Sequence, residues 1–434
     1  MNLLFANDQP GEYPDSWYAA TSDPLPPAPP LRGEASADVC VVGAGFTGLS
    51  AALHLTERGF SVIVLEAHRA GFGASGRNGG QVGSGQRQDQ DWLEARLPKE
   101  DARRLWNIGE DAKTLIQDLA ARHGFDPGFR PGVLHADRHA RDVAHTHAYA
   151  ERLARDHGYD KVEPLDRSGI RAIVGSDLFH GGALDHGAGH LHPLRLAFGL
   201  ARAALAAGVT LHERSHVTRV TPGPTPVVHT DHGRVTCDHV ILAANGYLGG
   251  LDGQVAARVM PINNFVVATE PLDERADDIL SRDVAVADSN FVVNYWRLSE
   301  DRRLLFGGGE SYGYRFPADI AAVVRKPMTE IYPQLKGIRI DHAWGGTLAI
   351  TRTRMPCFAR PAANILSASG YSGHGVAMAV MAGRILSEAV AGQAERFDLM
   401  SRIPTPPFPG GARLRSPLLA LAMTWFALRD RLGL

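Results

Sequence analysis

The first dense run of apolar residues begins at position 38, where patterns of strand, turn, helix and strand follow one another. The segment DVCVV (38–42) predicts a strand, LSAALHLTERG (49–59) has helical spacing, and SVIVLEA (61–67) predicts a second strand. Both strand segments are almost continuously apolar, which is typical of a parallel sheet covered on both faces. The pattern therefore predicts a βαβ unit.

Three later segments have the spacing and the end signals of helices. Glu100–His123 repeats apolar residues every three or four positions and is followed by Gly124, a residue type that commonly ends helices. A second helix is predicted to begin at Pro193 and to end at Gly208, because proline suits the first helical turn. A third helix, Gly375–Val390, follows a strand (NILSAS) and a glycine-rich loop (GYSGHG).

The other segments predict mostly strands. A three-stranded meander is predicted over 216–220, 227–237 and 239–244, and polar turns separate strand-like runs throughout 251–345. Residues 128–185 predict only short and irregular segments. Together with the βαβ unit, this order predicts an α/β fold, in which a doubly wound domain carries an inserted and mostly antiparallel second domain.

Length and composition narrow the possible classes of protein. The chain has 434 residues, more than one hydrophobic core usually supports, so we expect two domains. A formal net charge of -2 gives no basic footprint, so we expect no nucleic-acid partner. Cys40, Cys237 and Cys357 are few and far apart, which favours buried thiols in a reducing compartment. No signal peptide opens the sequence, and we therefore expect a cytoplasmic protein.

Both ends of the chain have distinctive patterns. Five prolines within Pro24–Pro30 predict an extended arm over the surface, with the folded protein beginning after it. The apolar stretch Leu418–Leu428 has about half of the roughly 20 residues that span a membrane, so no transmembrane segment is expected. We expect a terminal helix packed on the protein; the alternative is an interfacial membrane helix flanked by Arg413, Arg415, Arg429 and Arg431.

The strongest local motif is a glycine fingerprint inside the βαβ unit. Gly43, Gly45 and Gly48 lie between the first strand and the helix, where glycine allows a tight turn, close approach to a pyrophosphate and close packing of helix on sheet. Glu66 follows at the end of the second strand, where a carboxylate can accept hydrogen bonds from a ribose diol. The motif predicts a dinucleotide site, and by itself it leaves FAD and NAD open.

Two further glycine loops favour the longer, flavin-containing cofactor. Gly71–Gln81 follows the second strand, where a cofactor extending beyond its pyrophosphate needs close backbone approach and polar donors. Gly370–Gly375 precedes the last helix and directs a second helix N-terminus at an electron-rich group. In a flavin that group is the N1–C2=O edge, which becomes anionic on reduction.

The chain resembles the D-amino-acid oxidase/glycine oxidase superfamily of flavoenzymes, and within it the branch that includes bacterial gamma-glutamylputrescine oxidoreductases. The resemblance covers most of the chain from about Trp17 and rests on long, ordered blocks: ADVCVVGAGFTGLSAALHL, GFGASGRNGGQ, GHLHPLRLAFGLARAA, VILAANGY, NYWRLSEDRRLLFGGG, GYSGHGVAMAVMAGRILSEA and ERFDLMSRIPTPPFPGG. It implies a discontinuous FAD-binding domain over 37–90, 185–250 and 346–392. The implied substrate domain covers 91–184 and 251–345, between an extended arm (1–36) and a C-terminal tail and helix (393–434).

The resemblance also implies which residues hold FAD. The fingerprint and Glu66 would bind the ADP half, Val217 would lie beside the adenine, and the last glycine loop would meet the pyrimidine edge. The implied cofactor residues are Gly43, Gly45, Phe46, Thr47, Gly48, Glu66, Ala74, Ser75, Arg77, Asn78, Gly79, Gly80, Val217, Gly373, His374, Gly375 and Val376.

Two departures from the family pattern bear on the substrate and on the flavin linkage. Relatives that oxidise amino acids have an Arg that clamps the substrate carboxylate, whereas alignment on the WGG motif puts Leu348 there. In the sarcosine-oxidase branch a cysteine near this strand bonds the flavin, whereas Gly346–Thr351 contains none and Cys357 lies beyond it. We therefore expect non-covalent FAD and a substrate without a carboxylate beside its reacting carbon.

Candidates for residues facing the flavin come from several segments. We single out Gln81, His192, Trp296 and His374, although core packing explains Trp296 equally well. His186, His190 and His192 are neighbours in the sequence and could suggest a metal site. His190 and His192 have a two-residue spacing but no defined third ligand accompanies them, so no metal is expected.

The expected reaction is oxidation of an amine, either gamma-glutamylputrescine or a related linear amine. Hydride equivalents would pass from its α-carbon to flavin N5, the imine would hydrolyse to an aldehyde, and oxygen or another acceptor would reoxidise the flavin. Three alternatives stay open. They are an amino-acid oxidase or dehydrogenase with Arg352 or Arg354 as its carboxylate clamp, a hydroxylase that uses NAD(P)H, and a non-catalytic flavin-binding subunit.

Overall fold

A computed structural model describes residues 2–290, 292–311 and 313–411. The predicted terminal helix Leu418–Leu428 and its arginine flank lie outside the described residues. The helices are α1 (Trp17–Ala20), α2 (Phe46–Thr56), α3 (Gln90–Glu94), α4 (Lys99–His123), α5 (Ala140–His157), α6 (Arg167–Arg171), α7 (Pro193–Ala206), α8 (Gly253–Arg258), α9 (Ile320–Ile331), α10 (Gly375–Val390) and α11 (Glu395–Ser401).

The strands form two sheets. In chain order they are β1 (Gly33–Val42), β2 (Val62–Leu65), β3 (Gln81–Val82), β4 (Arg130–Asp137), β5 (Val162–Leu165), β6 (Gly181–His190), β7 (Thr210–His212), β8 (Val217–Thr221), β9 (Val227–Thr230), β10 (Gly233–Leu242), β11 (Met260–Thr269), β12 (Ala285–Asp288), β13 (Tyr295–Leu298), β14 (Leu304–Ser311), β15 (Ile340–Ile350), β16 (Cys357–Ala362) and β17 (Ile365–Ser369).

The main path of the first sheet has the order β16-β17-β10-β1-β2-β7, in which only β16 runs antiparallel to its neighbour, β17. Off this path, β9 pairs antiparallel with β10, and β8 with β9. The apolar residues of β1 and β2 are buried because helices cover the sheet, among them α2 and α10. β2 and β7 follow on one side of β1, whereas the later strands β10 and β17 follow on the other, so the strand order reverses at β1. In doubly wound sheets ligands bind at such a reversal, beyond the carboxyl ends of the strands.

The second sheet has the order β15-β11-β14-β13-β12-β4-β6-β3, with β5 beside β6. Its neighbours are antiparallel except for the pair β12 and β4. One face packs on α9 through Val324, Met328 and Ile331 and on a cluster of buried aromatic residues. The two sheets with their helices confirm the predicted mixed α/β fold class.

Helix ends agree closely with the sequence prediction. α4 ends at His123 and is followed by Gly124, whose φ of 66° is the left-handed conformation that glycine adopts without strain. α10 covers the predicted range Gly375–Val390. These ends could be predicted because the signals that set them are local.

Two predicted segments differ from the structure. Residues 128–185 contain the 18-residue helix α5, which the sequence did not reveal because only Ala150, Leu153 and His157 of this helix are buried. The predicted three-stranded meander is present as β8, β9 and β10, but its second strand ends at Thr230 and its third is the long strand β10, which pairs along nearly its whole length with β1. The domain division remains a prediction, although its boundaries at 184/185 and 345/346 fall inside β6 and β15.

The N-terminal segment is not a surface arm that precedes the folded protein. Trp17 and Tyr18 of α1 are buried in the main core, Leu25 is buried among the prolines, and Leu31 is buried directly after them. Residues 24–30 are extended as predicted, but they are held against the protein by Glu213. The prolines set the local conformation, whereas burial of the flanking apolar residues decides where the segment lies.

Glu213 is the anchor of this contact and is almost fully buried. Its carboxylate accepts hydrogen bonds from Ala28 N at 3.0 Å and from Ala70 N at 2.9 Å, and it pairs with Arg69 Nε at 2.7 Å. Removing one partner of a buried ion pair leaves the other charge uncompensated, which is costly.

Within the described ranges, no helix is long and apolar enough to cross a membrane.

We predict that Glu213→Ala lowers the free energy of unfolding by about 3 to 5 kcal/mol, because Arg69 and two backbone N–H groups lose their partner inside the protein. Urea denaturation of the purified variant measures this. Glu34→Ala is the matched control, because Glu34 pairs with Arg234 at the surface and should change stability by less than about 1 kcal/mol. Equal effects of the two substitutions would contradict the anchoring role.

Candidate functional site

A cavity of about 1170 Å³ opens between the two sheets at the carboxyl ends of β1 and β2. This volume exceeds the roughly 300 to 1,000 Å³ of ordinary small-molecule pockets, so the cavity can hold a long cofactor together with a substrate. Its wall on one side is formed by the glycine loops, and on the other by strands of the second sheet.

The fingerprint turn forms the part of the wall where β1 passes into α2. Gly43 has a φ of 104°, and a Cβ there would lie 2.9 Å from the carbonyl oxygen of Ala243. A Cβ at Gly45 would lie 2.8 Å from Ser75 Oγ. α2 begins at Phe46, and its N-cap, Gly45, has no side chain to cap it. Phe46 N–H donates to Ser75 Oγ, and the other N–H groups of the first turn are available to an anion in the cavity.

Glu66 lines the cavity at the end of β2. Its Oε2 accepts from Ala44 N at 2.8 Å and its Oε1 from His68 N at 2.9 Å. An ionised carboxylate has about four acceptor positions, so these bonds leave capacity for hydroxyl donors. Burial raises the pKa of Glu66, whereas the backbone N–H donors act in the opposite direction.

The loop 71–81 is rigidly organised beside the fingerprint. Ser75 Oγ accepts from Phe46 N at 2.9 Å, and Asn78 Oδ1 accepts from Gly80 N at 2.8 Å. The guanidinium of Arg77 donates to Phe72 O, to Gly345 O and to Asp8. The loop is therefore fixed by its own side chains and presents its backbone to the cavity.

The N-terminus of α10 opens onto the same cavity. The helix begins at Gly375, and its N-cap, His374, makes no side-chain cap hydrogen bond. The hydroxyls of Thr47 and Tyr371 lie 2.6 Å apart and join the starts of α2 and α10. Burial lowers the pKa of His374 to about 4, so its ring is neutral at physiological pH and lies 3.2 Å from Gly85 O through Nε2.

This donor set suits FAD. Two helix N-termini supply N–H groups for negatively charged oxygens, close glycine backbones leave room for a pyrophosphate, and Glu66 offers acceptors for a ribose. Most of the predicted cofactor residues line the cavity, and Gly48 instead lies where α2 packs on β1. The lining residues among them are Gly43, Gly45, Phe46, Thr47, Glu66, Ala74, Ser75, Arg77, Asn78, Gly79, Gly80, Val217, Gly373, His374, Gly375 and Val376.

Two of the four residues predicted to face the flavin line the cavity, namely Gln81 and His374. His192 does not, because it is the N-cap of α7, where its Nδ1 accepts from Arg195 N at 3.2 Å and its Nε2 lies 3.1 Å from Thr21 Oγ1. Trp296 does not either; it is buried in the core of the second sheet, stacked on Phe306.

Tyr295 lines the cavity in place of Trp296, because neighbouring residues of a strand point to opposite faces. A Cβ at Gly79 would come within 2.5 Å of the Tyr295 ring, and one at Gly307 within 2.1 Å, so these two glycines form the slot that holds the ring. Its hydroxyl donates to Asn264 Oδ1 at 2.5 Å.

Two carboxylates lie at this end of the cavity. Asp288 accepts from the backbone N–H of Asn294 at 2.8 Å and from its side-chain amide at 2.7 Å, and burial raises the pKa of Asp288. Glu310 lines the same wall as Tyr295. This end of the cavity therefore carries carboxyl groups as well as an aromatic ring.

The residues that bear on substrate charge and on flavin linkage differ in whether they line the cavity. Leu348 lines the cavity, as does Arg354, whereas Arg352 is exposed and donates to Pro407 O. Of the cavity-lining residues in the described part of the chain, none is a cysteine, and Cys357 is buried elsewhere.

The three neighbouring histidines have separate partners. His186 Nε2 lies 2.8 Å from Glu163, and His190 Nε2 lies 3.3 Å from Asp283. Across residues 2–411 as described, no group of three or more His, Cys, Asp or Glu residues could hold a metal ion.

Sequence reasoning missed several lining residues. The N-terminal residues Asn2, Leu3 and Leu4 line the cavity. The short apolar run that contains Leu3 and Leu4 is the one local feature of the sequence that could have indicated their place in the cavity wall. Tyr247, Asn264 and His135 also line it, and they come from segments whose sequences show no binding motif.

Comparison with known proteins agrees with this geometry. The profile of the DAO family, described as FAD dependent oxidoreductase, matches residues 38–389. The chain is 42% identical over 424 residues to gamma-glutamylputrescine oxidoreductase of Escherichia coli (strain K12), covering 97% of this chain and 99% of that protein. It is 41% identical over 417 residues to the probable oxidoreductase OrdL of Rhizobium meliloti (strain 1021), covering 96% and 97%.

Solved structures show the same fold. Glycine oxidase from Geobacillus kaustophilus superposes with a TM-score of 0.71 at 20% identity, covering 84% of this chain and 97% of that one. L-proline dehydrogenase from P. horikoshii superposes with a TM-score of 0.69 at 21% identity, covering 85% and 98%. The family resemblance predicted from the sequence is thus confirmed, and the chain is an enzyme that belongs to the DAO family of FAD-dependent oxidoreductases.

Proposed function

We propose that this enzyme oxidises a linear amine, gamma-glutamylputrescine or a close chemical relative, with FAD held non-covalently. The observation that carries the proposal is Leu348, an apolar residue in the cavity wall where carboxylate-binding relatives have Arg. A carboxylate brought into a desolvated pocket without a cation is heavily penalised, whereas an amine carbon without a carboxylate is not. The name of the Escherichia coli relative supports the same substrate class.

The other lining groups suit a basic, elongated molecule. Tyr295 offers an aromatic face to an alkyl chain or to an ammonium group, and Glu310 adds a carboxylate at the same end. FAD supplies the oxidising chemistry by taking two electrons with the hydrogen of the amine carbon. The resulting imine hydrolyses in water to an aldehyde, and oxygen or another acceptor reoxidises the flavin.

Each part of the cofactor has proposed contacts. The starts of α2 and of the loop 71–81 would hold the pyrophosphate, Glu66 the ribose, and Val217 the adenine. Residues Gly373–Val376 would meet the pyrimidine edge of the flavin. The N-termini of α2 and α10, which open onto the cavity, and the remaining acceptor capacity of Glu66 support this arrangement.

A second candidate function is oxidation of an amino acid. It is favoured by Arg354, which lines the cavity, whereas Arg352 does not. In that case Arg354→Met would abolish turnover of the amino acid.

We expect gamma-glutamylputrescine or a related linear amine to reduce the flavin at least about a hundredfold faster in k/K than glycine, D-alanine or sarcosine. This ratio corresponds to about 2.7 kcal/mol of transition-state discrimination. Anaerobic stopped-flow mixing, following the absorbance of oxidised flavin at a single pH, measures it. A faster reaction with glycine or a D-amino acid would overturn the proposal and make Arg354 the first residue to substitute.

We expect Glu66→Ala to weaken FAD binding by about 1.5 to 3 kcal/mol, because charge-assisted hydrogen bonds to the ribose are lost. Flavin content after purification and a binding titration measure the effect. Glu34→Ala removes the same charge at the surface and should leave FAD affinity unchanged. FAD affinity equal to that of the wild type would remove Glu66 from the site.

We expect acid precipitation to release the flavin, because no cysteine lies in the cavity wall as described. The supernatant should contain FAD, identified by chromatography. Colour retained in the pellet would show a covalent bond, and released FMN would contradict the dinucleotide site.

A further inference from the structure

The N-terminal segment 2–8 begins at the end of the cavity where Glu66 and Val217 lie. Asn2, Leu3 and Leu4 line it together with Glu66 and Val217. Leu3 and Leu4 belong to a short turn of 3-10 helix, and Asn2 Oδ1 accepts from Leu4 N at 3.1 Å. The family profile begins at residue 38, so these residues lie outside the part of the chain that the family match explains.

His68 connects this segment by hydrogen bonds to the turn that carries Glu66. Its Nε2–H donates to Leu4 O at 2.7 Å, and its Nδ1 accepts from Gly11 N at 3.2 Å. A neutral imidazole has one donor and one acceptor, so both ring nitrogens are used. The ring of Phe5 packs on the His68 ring, with centroids 5.2 Å apart.

A second anchor ties the segment to the glycine loop. Asp8 pairs with Arg77 at 3.0 Å, and the two side chains are only 10% and 1% exposed. Arg77 also donates to Gly345 O, on a strand of the second sheet. The pair therefore connects the segment to both sides of the cavity.

A third anchor lies farther along the cavity. Asn7 donates through Nδ2 to Tyr314 O at 2.8 Å and accepts through Oδ1 from Phe316 N at 2.7 Å. Three anchors within seven residues hold the segment across the cavity, although most of its own side chains are only partly buried. Chain ends are usually poorly ordered unless they are tied down in this way.

We propose that residues 2–8 are part of the cofactor site and form a strap that closes over the adenosine end of FAD. The inference rests on the proposed positions of Glu66 and Val217 at the ribose and the adenine. Leu3 and Leu4 present apolar surface beside Val217, which suits the flat face of a purine. FAD cannot leave from this end without release of the strap, so the anchors control the rate of flavin release.

Two variants test the strap, one by removing its apolar contact and the other by removing one of its anchors. Leu3→Ser combined with Leu4→Ser keeps all three anchors and removes the apolar contact, whereas Asp8→Asn keeps the leucines and removes the buried ion pair. Purified holoenzyme is diluted into excess ADP, which prevents rebinding, and the rise in flavin fluorescence gives the rate of release. We expect at least about tenfold faster release in each variant, equivalent to about 1.4 kcal/mol.

Asp15→Asn is the matched control. Asp15 belongs to the same N-terminal segment and contacts His342 at 3.1 Å, but its side chain is 90% exposed and it does not line the cavity. Flavin release from this variant should match the wild type. Release at the wild-type rate from the double leucine variant would overturn the strap, even if Asp8→Asn failed to fold.

Binding of ADP to full-length protein freed of flavin shows whether the substitutions act on the ADP half of the cofactor site or on the protein as a whole. The double leucine variant should bind ADP more weakly by about the same factor as FAD, because the strap contacts the half that they share. Unchanged ADP affinity would overturn the proposal. If Glu66→Ala weakens FAD binding while the strap variants do not, only the strap is wrong; if Glu66→Ala has no effect, the cofactor placement itself fails.

Discussion

The register of the parallel strands around β1 is the constraint on which the site depends. Val42, the last residue of β1, pairs with Leu65 of β2 on one side and with Leu242 of β10 on the other. The residues that follow these three positions therefore emerge at the same level of the sheet. Gly43, Glu66 and Ala243 meet there, and the crevice between them is where the strand order reverses.

Helix packing adds the electrostatic character of this crevice. α2 and α10 pack closely enough that a Cβ at Gly383 would lie 2.5 Å from the carbonyl oxygen of Thr47. This contact brings two helix N-termini to one cavity, and neither N-cap residue caps its helix with its own side chain. Unpaired N–H groups and the aligned peptide dipoles favour negative charge at this position, which a pyrophosphate and a reduced flavin both provide.

The second sheet and the N-terminal segment complete the cavity from the other side. The slot formed by Gly79 and Gly307 sets the position of Tyr295, so the loop 71–81 and the wall of the second sheet hold each other in place. The buried pairs Arg69–Glu213 and Arg77–Asp8 fasten the N-terminal segment to the same loop region. Removing one partner of either pair would leave the other charge uncompensated inside the protein, which is costly.

The contrast between Tyr295 and Trp296 shows where sequence reasoning reaches its limit. Both residues lie in a strand that the sequence predicted, and either ring could have formed the wall of a pocket. Which face of the strand turns to the cavity is decided by its pairing with β12 and β14 and by the core beneath it. His192 illustrates the same point, because its role as a helix cap depends on the start of α7 and on Thr21.

The sequence by itself determined the βαβ unit, the glycine fingerprint with Glu66, and the ends of α4 and α10, because these features depend on residues within a few positions of one another. Only the tertiary structure decided that α5 is a helix, that residues 2–8 line the cavity, and that Leu348 and Tyr295 lie in one wall. Each of these depends on partners distant in the chain, and burial against such partners outweighs local preference in setting which face of a segment is covered.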